Sequence, residues 1–195
     1  DFTSHLNDFY RGTILNFDGS NMLLKLTSGD RQNGTWEYTS EDGNVSASVI
    51  SENGEFNHIT YRNNKKNINY TGSIKTNAKD SDSSYSWYEE EKDINGTRYE
   101  PNGDGVLETE HEGRQTGKFE NGDFVSGIVE FNNSNHYNAK CLKYTIADKQ
   151  IVPNSIHIEK ENGEQFVGNI LIPTHYTTNT ITGTSTQAKG QKYTG

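Results

Sequence analysis

The sequence predicts an all-β chain, in which antiparallel β-hairpin repeats build an extended, curved, single-layer sheet; a closed barrel or a sandwich is the alternative closure. Three observations carry this. Turn signals recur at hairpin spacing along the 195 residues. The runs between them alternate apolar and polar side chains, as half-buried strands do. No apolar stripe of helical period persists anywhere in the chain.

Taken in order, Asp18-Gly19, the 28–34 stretch SGDRQNG, Asp42-Gly43, Asn53-Gly54 and the 62–67 stretch RNNKKN mark turns in the first part. Asn95-Gly96, the 101–105 stretch PNGDG, Asn121-Gly122, the 132–135 stretch NNSN and Asn162-Gly163 mark the rest. Asn-Gly and Asp-Gly suit type I′ turns, where both central residues take positive φ. Between turns, Met22, Leu24 and Leu26 share one face, as do Trp36 and Tyr38. Val45, Ala47 and Val49 face away from Asn44, Ser46 and Ser48, and the same period pairs Ile156 with Ile158 and Phe166 with Ile170 and Ile172. One side of each strand is built to be covered and the other to stay wet.

Composition sets the scale of the core. Only 29% of the residues are apolar and the mean hydropathy is -0.95, which implies a thin interior. Yet 11 Tyr, 8 Phe and 2 Trp are spread along the chain, unlike the aromatic-poor composition of disordered segments. A net charge of -9 argues against nucleic acid, whose phosphates need a basic face, and against an anionic membrane surface. The short basic run Arg62–Lys66 reads as a hairpin tip. No run of apolar residues is long enough for a transmembrane segment. Cys141 is the single cysteine, so it forms no intrachain disulfide and no cysteine zinc site; it reads as a small buried hydrophobe.

The chain is expected to be one elongated domain, 1–195, with a point of subdivision near 76–84. The opening DFTSHL and the closing QKYTG suggest a segment cut from a longer array. Asn33, Asn44, Asn69, Asn95 and Asn132 each begin an Asn-x-Ser/Thr triplet, which becomes a glycan acceptor only in a secretory pathway.

A second regularity joins aromatics to glycines. Tyr10-Gly12-Ile14, Tyr70-Gly72-Ile74 and Phe166-Gly168-Ile170 share one spacing, and glycines recur at 12, 34, 54, 72, 96 and 117. In the 116–131 stretch TGKFENGDFVSGIVEF, Gly117, Gly122 and Gly127 alternate with Phe119, Phe124 and Phe131. A strand places residues i, i+2 and i+4 on one face. Glycine there leaves a gap over which a ring can lie, recovering part of the lost stability. At YRGTI (10–14), YTGSI (70–74), TGKFENGDFVSG (116–127) and FVGNI (166–170) the chain resembles MORN repeats. In the third, Gln115 replaces the leading aromatic and the later glycine falls out of step. The resemblance implies hairpin sheets that act as scaffolds or interaction platforms, and it supplies no catalytic residue.

Candidate sites are few. Tyr85, Trp87 and Tyr88 in YSWYEEE form an aromatic cluster suited to stacking on sugar rings or anchoring a protein interface. The preceding acids imitate a calcium loop through Asp80, Asp82 and Glu91, but Tyr85 stands where that loop needs glycine. No two of the six histidines have metal-ligand spacing. Glu108, Glu110 and Glu112 alternate and could line one strand face, either as a carboxylate pair for glycoside hydrolysis or as a charged edge.

The reading is therefore a non-enzymatic binding module with no cofactor. It is expected to be secreted or on the cell surface and to contact a protein or carbohydrate. An intracellular MORN-like scaffold and a carbohydrate-active enzyme are the alternatives.

Overall fold

The structure, a computed structural model, describes residues 12–77, 96–134, 139–170, 181–186 and 192–194. Their regular structure is all strand. The first six strands are β1 (Gly12–Phe17), β2 (Ser20–Gly29), β3 (Gly34–Thr39), β4 (Val45–Glu52), β5 (Glu55–Asn63) and β6 (Ile68–Thr76). Then come β7 (Thr97–Thr109), β8 (Gly113–Glu120), β9 (Asp123–Ser134), β10 (Ala139–Ala147) and β11 (Gln150–Ile151). The last are β12 (Ile156–Lys160), β13 (Gln165–Ile170), β14 (Ile181–Thr186) and β15 (Lys192–Thr194). Apart from β11, which pairs only with β10, strands neighbour one another in chain order. This is the antiparallel hairpin sheet the turn spacing predicts.

The turns form for the expected reason. Asp18 and Gly19 have φ of 53° and 75°, Asn53 and Gly54 of 53° and 84°, and Asn121 and Gly122 of 53° and 86°. Both central residues of each pair are thus left-handed, matching the twist of the flanking strands. The basic run is the β5–β6 tip, where the buried Asn63 accepts the backbone N–H groups of Lys65 and Lys66 at 3.1 Å each.

One turn expectation fails and another is displaced. PNGDG lies inside β7, whereas Asn132–Ser134 still belong to β9, which pairs with β10 as far as Ser134–Ala139, so the reversal comes after Ser134. Gly103 keeps a φ of 95° within the strand, so positive φ is absorbed as an irregularity instead of reversing the chain.

The chain divides into two compact units, the first comprising Asp1–Val106 with Phe119–Asp123 and the second Leu107–Lys118 with Phe124–Gly195. In the first, β1 pairs with β2 along six residues and also, in parallel, with β7 through Leu15–Thr97, Asn16–Arg98 and Phe17–Tyr99. Strands β1 to β7 therefore return on themselves as a ring of seven. Inside lie Leu15, Phe17, Met22, Leu24, Trp36, Ala47, Val49, Ile59, Tyr61, Tyr70 and Ile74, all buried. They occupy alternate positions, and cross-strand partners such as Val49 and Ile59 are both fully buried. Each such side chain contributes about 1.5–3 kcal/mol. In the second unit Ala139, Leu142, Ile156 and Ile158 form a smaller core, with Phe131, Tyr144, Ile151 and Phe166 packed on it.

Rings do cover glycine backbone, but not where the Phe-Gly stretch suggests. A Cβ on Gly105 would lie 2.6–2.9 Å from the Tyr70 ring and hydroxyl. A Cβ on Gly113 would lie 2.9 Å from the Phe131 ring. Gly117 and Gly127 instead press on each other: a Cβ on either would meet the opposing backbone carbonyl at 2.1 Å. Their φ of 152° and 140° belong to a region essentially restricted to glycine. Phe119 is buried against Tyr70, ring centroids 5.4 Å apart.

Candidate functional site

The described residues that best assemble a contact site are Trp36, Phe56 and Tyr99 in the first unit. Trp36 is inward on β3, and its indole N–H donates to Ser51 Oγ at 3.0 Å. Phe56 stands edge-on to it, centroids 5.6 Å apart and planes at 88°. Tyr99 continues the row, 5.8 Å from Phe56 at 68°. Trp36 is buried, whereas Phe56 and Tyr99 are half-buried, so the row runs from the core to the surface. Edge-to-face pairs of this kind add about 0.5–1.5 kcal/mol beyond burial.

A bulge creates the row. Between Ile50 and Ser51 the β4–β5 register shifts, so that Ile50 faces His58 while Ser51 faces Phe56 and Asn57 is extra. Strict alternation would put Phe56 on the face opposite Ile59 and Tyr61. The added residue returns it to their side.

Polar groups border the rings. Asn57 Nδ2 donates to Glu52 Oε2 at 2.7 Å. Across the turn, Gly54 N–H donates to the Gln32 carbonyl at 2.9 Å and Asn53 N–H to Asn33 Oδ1 at 3.2 Å. Burial raises the Tyr99 phenol above its ordinary pKa, and the Glu55 charge adds to the rise. Tyr99 therefore offers a neutral hydroxyl beside its ring. Aromatic surface, a phenol, an amide and two carboxylates together suit a ligand with one apolar and one hydrogen-bonding aspect.

Tyr85, Trp87 and Tyr88, and the calcium-loop candidates Asp80, Asp82 and Glu91, lie outside the described residues. The three alternating glutamates do not share a strand face. Glu108 is in β7, 3.6 Å from Arg114 across the hairpin, while Glu110 and Glu112 belong to the turn before β8. The strand ends at Thr109, three residues earlier than the alternation implies, so the three carboxylates do not line up along one strand. His58 and His157 lie in β5 and β12 and His111 lies in a turn, and among the described residues no group of three His, Cys, Asp or Glu could hold a metal ion.

Cys141 is half-buried and follows the β10 bulge. Burial raises its thiol pKa, with the charges of Glu130 and Glu159 adding to it, so the sulfur is held as a thiol and not activated as a nucleophile. Phe56 and Tyr99 were not legible as site residues. Only the aromatic identity of each, on either side of a turn signal, hinted at them. No helix among the described residues is long and apolar enough to cross a membrane. No family model matches the chain, and neither the curated proteins nor the solved structures provide a match.

Proposed function

We propose that the chain is a non-enzymatic binding module that contacts a protein or glycan through aromatic side chains at one end of the first unit. The half-buried Phe56–Tyr99 pair, footed on Trp36 and bordered by Glu52 and Asn57, is the observation that carries this reading. Tyr and Trp dominate interface hot spots, and their faces also stack on sugar rings. A surface or secreted setting suits such a module, and the cluster Tyr85, Trp87 and Tyr88 would extend the same chemistry.

A second reading, an intracellular MORN-like scaffold, draws on Tyr70, Gly72 and Ile74, which are buried together on one face of β6 as that repeat spacing requires.

A glycan array and a partner pull-down, run with the native chain and with Phe56→Ala, Tyr99→Ala and Trp87→Ala, test the first reading. Binding lost in Phe56→Ala or Tyr99→Ala supports the site at the first unit, and loss confined to Trp87→Ala moves it to the 85–88 cluster. Binding unchanged in all three sinks the aromatic reading. Hydrolysis of a polysaccharide that survives these changes but not Glu108→Gln would favour an enzyme instead.

A further inference from the structure

Every Asn-Gly pair is a chemical liability. The glycine nitrogen can attack the asparagine Cγ; the bond from Cγ to the amide nitrogen breaks and ammonia leaves. Water then opens the resulting succinimide to aspartate or isoaspartate. Glycine hinders the attack least because it has no Cβ. The attack requires a glycine N–H free of its hydrogen bond and an asparagine side chain free to turn, so the fold sets the rate. Five such asparagines are described: Asn33, Asn53, Asn102, Asn121 and Asn162.

Four of them are held by distant parts of the chain. Gly34 N–H donates to the buried Ser51 hydroxyl at 3.0 Å, and the Asn33 side chain accepts from Asn53 N–H. Gly54 N–H donates to the Gln32 carbonyl at 2.9 Å. Gly122 N–H donates to the Pro101 carbonyl at 2.9 Å, and Lys75 Nζ donates to Asn121 Oδ1. Asn102 is half-buried inside β7, and its side chain accepts from Asn121 N–H at 3.2 Å. Freeing any of these requires parting contacts between separate hairpins.

Asn162 differs. Gly163 N–H donates at 3.0 Å to the Lys160 carbonyl, and Glu164 N–H donates at 3.0 Å to Asn162 Oδ1. Both partners lie within the same hairpin, at the end of β12 and in the turn to β13, and Glu161, Asn162 and Gly163 are all exposed. Fraying of one turn releases both groups at once, and such local openings cost far less than parting a core.

We propose that Asn162 is the modification site at which the folded chain deamidates, with water as co-reactant, while Asn33, Asn53, Asn102 and Asn121 are protected by tertiary contacts. The product adds a carboxylate beside Glu161 and Glu164 and, as isoaspartate, an extra backbone carbon in a tight hairpin.

The test holds the intact folded chain in mildly alkaline heavy-oxygen water and maps label by peptide mass, with a parallel sample in denaturant. Label at 162 is expected to accumulate severalfold faster than at 33, 53, 102 or 121 in the folded sample. In denaturant the five rates should converge. A folded-state rate at any of the four that equals the rate at 162 would overturn the proposal. So would a ranking that denaturant leaves unchanged, since local sequence would then set the rates.

Discussion

At the scale of single residues, the interior tolerates few additions where rings and glycine backbone meet. Gly105→Ala places a methyl 2.6–2.9 Å from the Tyr70 ring and hydroxyl, which must move within a packed core. The expected loss is about 1–3 kcal/mol, read as a lower urea midpoint at unchanged slope. Gly127→Ala meets the Thr116 backbone carbonyl at 2.1 Å, a closer overlap, and adds a φ of 140° that alanine adopts poorly, so it should be the more damaging of the two.

Tyr70 also sets a pH limit. Burial raises its phenol pKa, with a contribution from Asp104, and its hydroxyl donates to the Ser73 carbonyl at 2.6 Å. The unfolded chain therefore releases this proton first, at a pH of about 10. Above that pH the native state binds more protons than the unfolded one, so stability falls as pH rises. Melting temperature followed from neutral to strongly alkaline pH should drop past that point, and less steeply in Tyr70→Phe. The sequence did pair Tyr70 with Gly72, but covering Gly105 from the neighbouring strand required a register no local pattern states.

At the scale of elements, turn chemistry explains the most. The β10–β11 hairpin turns through Asp148 and Lys149 at φ of 48° and 63°, with Lys149 N–H donating to the Val125 carbonyl at 2.9 Å. Lys149 carries a left-handed strain that glycine would not. Lys149→Gly keeps the N–H and should gain about 1 kcal/mol, measured as a higher urea midpoint. This hairpin had no glycine to announce it, which is why it went unmarked in the sequence. PNGDG erred the other way, because glycine takes a positive φ within β7 as readily as at a reversal. Phe56 shows the same limit: one added residue, Asn57, changes the face a ring occupies.

At the scale of the molecule, the first unit is a ring whose links differ in strength. β4 and β5 pair along eight positions, whereas the β1–β7 closure rests on three in parallel. Parallel pairing is also slightly weaker per residue. Amide exchange should therefore be faster at Leu15–Phe17 and Thr97–Tyr99, on the sides facing that closure, than in β4 and β5. Equal protection throughout would show that the ring opens only by global unfolding.

The sequence by itself determined the all-β class, most hairpin positions and the inward face of β2, β3, β4 and β12, because these follow from φ preferences and a two-residue period. Only the tertiary structure decided which strand closes on β1, which backbone lies beneath each ring, and that Trp36, Phe56 and Tyr99 form one row. Those outcomes depend on bulges and on partners far along the chain, and a bulge shifts register without leaving a distinctive residue behind.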